Sequence, residues 1–477
     1  MIRSFLSRYH PRYIRSLVYM LQASEYDVRD YLKWYHRTKD FTHVERRKSL
    51  VKTGKVLLLL GMAWIVLLLL YGAAIFLWWQ SDALFASLLG LILLLLTPFL
   101  LAYLIVIPLG IIRFFIQLPV EYFLLRRTQQ ELATHKAVKI AIAGSFGKTS
   151  MREILKTVLS QGKKVAAPPE SFNTPLGIRK FVNGLAGNEE VLIFELGEYY
   201  PGDVAALCRL VNPQWGVITG VNEAHLEKFK SVDAAAKTIF ELADWLGAQP
   251  LYINGESNLA QKNARPGDLI YSRSGVGEWK VEDAKSDLTG TSFVLIKGNT
   301  TFQLHSGLLG LHQVGPLAAA VDIASRLGLS AQEIERGVAA TKPFAHRLEP
   351  RTDQSGAVTL DDSYNGNPDG VKAVIEFLAS LKDHRRFYVT PGLVEMGRRS
   401  EAIHREIGKQ LAAAHIEKVV LIKNSVTSWV AEGLREVHYD GEIIWFDDGL
   451  SAFAALPHLT VKGDIVLLQN DWPDQYA

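Results

Sequence analysis

Two long uncharged apolar runs constrain the fold of this chain more than any other feature. Residues 56–81 and 83–112 contain no charged side chain, and a helix needs about 20 apolar residues to cross a bilayer core. Both runs lie too far along the chain to be a cleaved signal peptide, and runs this long are unusual for core helices of a soluble enzyme. We therefore predict two transmembrane helices, over about residues 56–79 and 83–112, the second kinked or shortened by Pro98 and Pro108.

The charges that flank the two runs predict their orientation. Residues 1–55 carry 13 lysines and arginines, and Arg113, Arg126 and Arg127 follow the second run, whereas residues 80–82 between the runs carry none. Because the cytoplasmic flanks of membrane helices are rich in positive charge, both ends of the chain should face the cytoplasm. We expect a multi-pass protein of the cytoplasmic (inner) membrane that contacts membrane lipid.

The first 50 residues mix basic and aromatic side chains, as in the stretch DYLKWYHRTKDF (residues 30–41). Two interpretations stay open. The segment is an interfacial helix held on anionic lipid, or it is an ordinary positive flank whose aromatic side chains pack into a core.

The charge balance and the cysteine count exclude other classes of protein. The chain of 477 residues has 52 basic and 49 acidic side chains, which argues against a nucleic-acid binder. Its single cysteine, Cys208, rules out an intramolecular disulfide and fits a reducing compartment. We expect Cys208 to be a small buried apolar residue.

A phosphate-binding loop follows the hairpin in the sequence. AVKIAIAG (137–144) predicts a buried parallel strand, and KTSMREILKTVLSQG (148–162) has helical spacing. Glycines between them let backbone N–H groups close around phosphates, and a lysine reaches the terminal phosphates. The loop matches only the shorter GxxGK[ST] form, because Ile142 stands where the longer form has glycine. We predict an ATP site whose phosphate-binding residues are Gly144, Ser145, Phe146, Gly147, Lys148, Thr149 and Ser150.

Polar residues at the ends of later strands predict a magnesium site beside this loop. Glu195 ends the apolar run VLIFE, and His225 follows the predicted strand WGVITG (215–220). The carboxyl ends of parallel strands meet at one edge of a sheet, and Mg²⁺ prefers carboxylate and hydroxyl oxygens. We expect Thr149 and Glu195 to bind Mg²⁺ and His225 to lie in the ATP site.

Six ordered motifs carry a resemblance to a known family. They are GSFGKTS (144–150), FELG (194–197), NEAHLEKF (222–229), HRLE (346–349), DDSYNGNPDG (361–370) and VEMGRRSEAIH (394–404). Over roughly residues 137–465 the chain resembles the Mur ligase family. It is especially similar to the MurF branch, which adds D-alanyl-D-alanine to UDP-N-acetylmuramoyl-tripeptide.

The resemblance implies ATP-dependent amide formation. In this family the γ-phosphoryl group of ATP passes to a carboxylate, an amine attacks the acyl phosphate, and phosphate leaves. The implied catalytic residues are Lys148, His225 and Arg347, with His225 also among the Mg²⁺ ligands. Arg347 and Asp362 would close over the nucleotide.

The resemblance also implies contacts to the two substrates. Asn173 and Thr174, in SFNTPLG (171–177), would reach the acyl substrate. The residues that would face the incoming amine are Tyr364, Asn365 and Asn367.

The sequence departs from the family's pattern at three places. Relatives usually carry a carbamylated lysine where this chain has Ile239, and Lys237 lies about 200° around a helix from it. Either a shorter loop brings Lys237 into place or the site works without the group. Gln313 and Gly315 stand where relatives tend to have asparagines, and the last strand lacks the usual Lys-Gly-Ser stretch.

The hairpin takes the place of the domain with which soluble relatives grip the UDP end of their substrate. Only residues 114–136 separate it from the first strand of the ATPase domain. The substrate therefore stays open. It is a UDP-linked small molecule or a lipid-linked cell-wall precursor, to which D-Ala-D-Ala or a similar short peptide or amino acid is joined.

Strand and helix signals predict three parts. An N-terminal basic segment and the hairpin extend to residue 136, a central ATP-binding domain with a β-rich later part covers 137–340, and a C-terminal domain covers 341–477. The expected fold class is α/β: a Mur-ligase-like phosphate-loop ATPase domain and a Rossmann-like domain, preceded by two transmembrane helices.

The favoured function is a membrane-anchored ATP-dependent amide ligase of peptidoglycan biosynthesis. One alternative is a non-catalytic, ligase-like subunit that binds nucleotide or a partner enzyme, suggested by Ile239, Gln313 and Gly315. Another is a ligase that makes a different amino-acid polymer, of the poly-γ-glutamate type. Substrate-stimulated ATP hydrolysis separates an enzyme from the non-catalytic subunit.

Overall fold

The structure is a computed structural model that describes most of the chain. The described residues are 5–24, 26–45, 49–79, 84–169, 172–222, 229, 231–353, 355–364, 366–394 and 396–470. They form two compact units, one up to Phe123 and one from Leu124 onward.

The N-terminal unit is helical. Its helices are α1 (Tyr13–Ala23), α2 (Val28–Arg37), α3 (Gly54–Trp79), α4 (Leu84–Leu104) and α5 (Val106–Ile112), with 3₁₀ turns at Ser7–Tyr9 and Phe41–His43. A π-helical turn, Arg113–Gln117, leads into α6 (Leu118–Thr134), which contains the boundary between the units. Among the described residues, two helical stretches are long and apolar enough to cross a membrane, Gly54–Trp79 and Phe85–Thr134.

The second apolar stretch is longer than predicted. Helix α4 continues through Pro98, and the α-helix is interrupted only at Ile105 before α5 begins. The hydroxyl of Thr97 donates a hydrogen bond of 2.8 Å to the carbonyl of Leu93, one turn earlier in the helix. Helical structure then extends beyond the predicted end at residue 112.

Aromatic residues of the first 45 positions pack against the base of the hairpin. Tyr13 and Tyr31 are buried, and their hydroxyls donate to the carbonyls of Pro98 (3.0 Å) and Ala102 (2.8 Å) on α4. These aromatics share one apolar core with α3, α4 and α5. The described residues therefore favour the interpretation in which the N-terminal aromatics form a core.

The second unit contains two sheets. The strands of the first are β1 (Val138–Ala143), β2 (Val165–Ala166), β3 (Val191–Glu195), β4 (Trp215–Ile218), β5 (Leu251–Asn254), β6 (Leu269–Ser272), β7 (Gly275–Val276), β8 (Trp279–Asp287), β9 (Gly290–Lys297) and β10 (Thr300–Ser306). The strands of the second are β11 (Glu349–Thr352), β12 (Val358–Asp362), β13 (Arg386–Thr390), β14 (Lys418–Ile422), β15 (Glu442–Phe446) and β16 (Ile465–Gln469).

Helices cover both sheets. They are α7 (Lys148–Leu159), α8 (Pro175–Val182), α9 (Asp203–Val211), α10 (Val232–Leu246), α11 (Asn258–Lys262), α12 (Val314–Arg326), α13 (Ala331–Ala339), α14 (Pro368–Ser380), α15 (Ser400–Ala413), α16 (Thr427–Glu436) and α17 (Gly449–Leu459), with 3₁₀ turns at Leu311–Gln313 and Gly397–Arg399.

The first sheet has the order β10-β9-β8-β7-β6-β5-β4-β1-β3-β2, parallel from β2 to β6 and antiparallel beyond. The predicted β-rich part thus continues the ATPase sheet. Along β1, Ile140 and Ile142 pack into one core, whereas Ala141 and Ala143 pack into another. Alternate side chains of a strand point to opposite faces, so β1 is covered on both.

The second sheet has the order β11-β12-β16-β13-β14-β15, in which β11 is antiparallel and the other pairings are parallel. In α/β folds, ligands bind beyond the carboxyl ends of the parallel strands, and both sheets have parallel strands at their centre. The predicted α/β architecture is confirmed.

Candidate active site

The phosphate loop connects β1 to α7 and is shaped for close approach. Gly144 has a φ of +143°, and a Cβ there would lie 2.3 Å from Oγ1 of Thr219; Gly147 has a φ of +75°. Both conformations favour glycine. Thr219, just after β4, donates a hydrogen bond to the carbonyl of Phe146 and so holds the loop. Helix α7 then begins at Lys148, which directs its first N–H groups toward the loop.

Lys148 and Thr149 each meet a carboxylate near the end of β3. Nζ of Lys148 donates to the carbonyl of Gly144 and lies 2.8 Å from Oε1 of Glu198. Oγ1 of Thr149 donates to Oε2 of Glu195 at 3.2 Å. The predicted phosphate-binding lysine and the predicted metal-binding hydroxyl are therefore held side by side.

Glu195 is paired with a cation inside the protein. Its Oε1 lies 2.7 Å from a terminal guanidinium nitrogen of Arg152, and both side chains are almost fully buried. Arg152 lies four residues after Lys148, on the same face of α7. Burial raises the pKa of the Glu195 carboxyl, and the charges of Arg152 and Lys148 oppose that increase.

The residues present fit a magnesium ion. Thr149 and Glu195 offer neighbouring hard oxygens beside the phosphate loop, the ligands that Mg²⁺ takes together with phosphate oxygens. Among the described residues, no group of three or more His, Cys, Asp and Glu is arranged to hold a metal ion. Phosphate or water oxygens would have to complete the coordination. His225 lies outside the described residues.

Arg347 lies in an unusual turn just before β11, the first strand of the second sheet. Arg347 stands between His346 and Leu348, whose φ angles are +62° and +47°. Such angles are uncommon for residues other than glycine, so the turn sets the direction of the arginine at some conformational cost. Its guanidinium carbon lies 5.2 Å from the ring centre of Tyr364, which is 43 % exposed.

Asp362 ends β12 and is buried. Its Oδ2 accepts a hydrogen bond of 2.9 Å from Nε2 of Gln469, the last residue of β16. Burial raises the pKa of Asp362 to about 6, and Arg347 and Gln469 oppose the increase. The strand that lacks the usual Lys-Gly-Ser stretch thus supplies an amide to this carboxyl group.

Side chains from the two sheets' domains contact each other directly. Nδ2 of Asn222 donates to Oδ1 of Asn367 at 2.9 Å and to Oδ2 of Asp369 at 3.1 Å. The guanidinium of Arg273 binds both carboxylate oxygens of Glu376, at 2.6 and 2.8 Å. These bonds connect the loops after β4 and β6 to helix α14.

A cavity of about 510 Å³ lies between the two domains. Six predicted site residues line it: Phe146, Gly147, Ser150, Arg347, Asp362 and Asn367. The volume is in the range of small-molecule sites. The structure therefore brings the phosphate loop and the C-terminal residues around one space.

The predicted acyl-substrate segment lies beside β3. The carbonyl of Asn173 accepts a hydrogen bond of 2.9 Å from the N–H of Gly197, between Glu195 and Glu198. Thr174 caps helix α8 by accepting a hydrogen bond from Gly177 N–H at 3.2 Å. Asn365, predicted to face the amine, lies outside the described residues.

The departures from the family's pattern have structural counterparts. On α10, Ile239 is fully buried among apolar side chains, and Lys237 is exposed. The structure therefore does not bring Lys237 to the position of Ile239. A Cβ at Gly315 would lie 3.1 Å from the carbonyl carbon of Ser272, so glycine there lets α12 approach β6 closely. Gln313 lines the cavity with its Nε2 2.9 Å from Nε2 of His312, whose pKa burial lowers to about 4.

Four residues of this region were not predicted from the sequence: Arg152, Glu198, Thr219 and Gln469. The one sequence signal for Glu198 was its position three residues after Glu195, just beyond the end of β3. Arg152 was detectable from its spacing of four residues after Lys148 on the predicted helix. Thr219 and Gln469 depend on strand neighbours that only the fold identifies.

Comparison with known proteins agrees with this geometry. Residues 142–324 match the model of the Mur ligase middle domain, and residues 346–469 match that of the Mur ligase, glutamate ligase domain. The chain is similar to the UDP-N-acetylmuramoyl-tripeptide–D-alanyl-D-alanine ligases of Bacillus subtilis and Mycobacterium leprae. It is 25 % identical to the first over 342 residues (71 % of this chain, 74 % of the relative) and 29 % identical to the second over 373 residues (71 % and 72 %).

A solved structure shares the fold. The crystal structure of the MurF ligase from Thermotoga maritima in complex with ADP superposes with a TM-score of 0.65 at 23 % identity, covering 74 % of this chain and 80 % of that one.

Proposed function

The chain belongs to the Mur ligase family, and from that premise we propose that it is a membrane-anchored, ATP-dependent amide ligase that joins D-Ala-D-Ala or a similar amine to a peptidoglycan precursor peptide. The observation that carries the proposal is the cavity lined by the phosphate loop on one side and by Arg347, Asp362 and Asn367 on the other. Nucleotide and substrates would meet there.

The chemistry requires two transfers. A carboxylate oxygen of the precursor attacks the γ-phosphorus of ATP and ADP leaves, which gives an acyl phosphate. The amine nitrogen then attacks the acyl carbon, and the tetrahedral intermediate collapses with loss of inorganic phosphate and of the proton from nitrogen. Catalysis of this kind consists mainly of positioning and charge stabilisation.

We assign these tasks to residues around the cavity and the phosphate loop. Lys148, whose ammonium group lies at the phosphate loop, and the N–H groups of the loop would hold the phosphates, and Arg347, which lines the cavity, would approach them from the second domain. Mg²⁺, when held by Thr149 and Glu195, would neutralise phosphate charge. Asn367, fixed by Asn222, would face the incoming amine beside Tyr364.

Membrane anchoring is supported by the surface of the hairpin. Helix α3 has 26 residues, and large apolar side chains such as Leu58, Trp64, Leu68 and Phe76 are about half exposed or more. Contiguous apolar surface of this kind is rare on proteins surrounded by water and usual for helices in lipid. We infer that α3 and the stretch from Phe85 span the cytoplasmic membrane, with the ligase domains in the cytoplasm.

The test of activity uses the purified full chain in detergent. It receives ATP and Mg²⁺, either a UDP-linked or a lipid-linked muramoyl tripeptide, and D-Ala-D-Ala or other amines, with phosphate release and product mass as readouts. We expect amide product with D-Ala-D-Ala. Turnover only of a poly-γ-glutamate chain would refute the cell-wall assignment. ATP hydrolysis that no substrate stimulates would instead support the alternative of a non-catalytic, nucleotide-binding subunit.

The test of topology uses introduced cysteines. Cys208 is fully buried and its thiol pKa is raised to about 12, so it should give little background with maleimides. We expect Ser81→Cys to react with an impermeant maleimide in intact cells and Gln130→Cys to react only after permeabilisation. Reaction of both in intact cells would contradict the hairpin.

A further inference from the structure

We propose that Glu198 couples nucleotide binding to divalent-cation binding: its carboxylate neutralises Lys148 while the phosphate loop is empty and faces the cation once phosphates engage that lysine. The proposal rests on the nucleotide site of the proposed function and adds a residue to it.

The ion pair of Glu198 lies at the phosphate loop. Oε1 of Glu198 is 2.8 Å from Nζ of Lys148, and the side chains are only 3 % and 14 % exposed. Lys148 also donates to the carbonyl of Gly144, so its ammonium group is held by the loop and by this carboxylate together. The pair occupies the end of the lysine that must contact phosphate.

Nucleotide binding changes this balance of charge. Phosphate oxygens that bind Lys148 would either share its positive charge with Glu198 or displace the Glu198 carboxylate from the lysine. A buried carboxylate would then lie close to a polyanion, and like charges repel strongly where water is largely excluded. A divalent cation between Glu198 and the phosphates would remove the repulsion and gain a hard oxygen ligand.

The position of Glu198 places this cation toward the acyl substrate. The loop that bears Glu198 is bonded at Gly197 to Asn173, in the segment predicted to reach that substrate. Helix α10 offers no oxygen ligand at Ile239, and its Lys237 is exposed. The buried carboxylate of Glu198 thus lies between Lys148, which would bind phosphate, and the segment that would reach the acyl substrate.

The experiment measures nucleotide affinity rather than turnover. Full-length protein in detergent is titrated calorimetrically with ADP and with a non-hydrolysable ATP analogue, each with EDTA or with Mg²⁺. We expect Glu198→Gln to bind the metal-free analogue roughly tenfold more tightly than the unmodified protein. The gain in affinity produced by Mg²⁺ should fall by about the same factor, since binding of two ligands is linked reciprocally.

The matched control is Glu190→Gln. Glu190 directly precedes β3, so this change removes one negative charge at the opposite end of the strand that leads to Glu198. It should leave both affinities unchanged. A structural role of Glu198 would instead shift the affinities with EDTA and with Mg²⁺ by one common factor, and that result would overturn the proposal. So would unchanged affinities in Glu198→Gln.

Two further outcomes are separated by design. If Glu198→Gln does not fold by circular dichroism, Glu198→Asp keeps the charge but withdraws it by one methylene, and its Mg²⁺ gain should still fall; an unchanged gain overturns the coupling. If the unmodified protein shows the coupling but joins no amine to any acceptor, the proposed ligase function fails while the role of Glu198 stands.

Discussion

The two domains on either side of the cavity, the first wall (the ATPase domain) and the second wall (the C-terminal domain), each hold a buried carboxyl group at the end of a parallel strand, but they compensate its charge differently. Glu195 has a buried arginine, Arg152, at 2.7 Å. Asp362 accepts a hydrogen bond from the amide of Gln469, and its pKa is raised to about 6. The charge of Glu195 is therefore balanced by an arginine of its own domain. The charge of Asp362 instead depends on pH and on what enters the cavity.

The largest expected effect tests whether Lys148, in the first wall, binds the phosphates of ATP. Lys148→Ala should lower ATP turnover at least about 100-fold, because it removes a preorganised charge from the transferring phosphoryl group. Membrane insertion should persist, but the change leaves the buried Glu198 without its lysine and should lower the stability of the fold, so circular dichroism at the assay temperature checks that the variant is folded. The measurement is phosphate release by purified protein, with Lys156→Ala at the far end of α7 as the control. Turnover equal to that of the control would remove the phosphate-loop assignment.

The next effect tests whether Arg152 compensates Glu195. Arg152→Met leaves a buried carboxylate without its arginine and should destabilise the protein by about 3–5 kcal/mol, seen as a lower unfolding temperature by intrinsic fluorescence. Adding Glu195→Gln should restore part of the loss. If the double variant is no more stable than Arg152→Met alone, the pair contributes through packing rather than charge.

The pH dependence of stability tests the second wall. Asp362 has a folded pKa of about 6 against an ordinary value of 3.8, so the folded state holds its proton more tightly than the unfolded state. Its contribution to stability is therefore full below pH 4 and is lost as pH rises toward 6, by about 3 kcal/mol at 1.36 kcal/mol per pKa unit. Asp362→Asn should remove this part of the profile. An identical slope in both proteins between pH 4 and 6 would contradict the assignment.

The smallest effect concerns the bond between the walls. Arg273 and Glu376 are 31 % and 48 % exposed, and exposed ion pairs contribute about 1 kcal/mol or less. A double-mutant cycle with Arg273→Gln and Glu376→Gln should give a coupling of that size in thermal unfolding. A coupling above about 2 kcal/mol would mean that this pair, and not the cavity's contents, determines how the domains associate.

Local patterns predicted most of the first wall. The glycines and Lys148 are contiguous in the chain, and Glu195 follows an unbroken apolar run, so spacing alone indicates them. Glu198 was missed because a glutamate just after a strand usually lies in solvent, whereas here it is buried against Lys148. No periodicity reports such a contact.

The second wall was predictable mainly through the resemblance. Asp362 and Arg347 were assigned in that way, but the partner of Asp362 was not, because Gln469 lies 107 residues later and reaches it only through the pairing of β12 with β16. The packing of Tyr13 and Tyr31 against α4 was left undecided for the same reason: composition identifies aromatic residues but not the surface that they cover.

The bonds from these two tyrosines have a consequence for the order of events during synthesis. Tyr13 donates to a carbonyl 85 residues later in the chain, and Tyr31 to one 71 residues later. At about 5–20 residues per second, the ribosome needs roughly 4 to 17 s to make those acceptors after the tyrosines have appeared. The first helices therefore cannot complete their packing until α4 has been made, although the strands of the two sheets are synthesised later still.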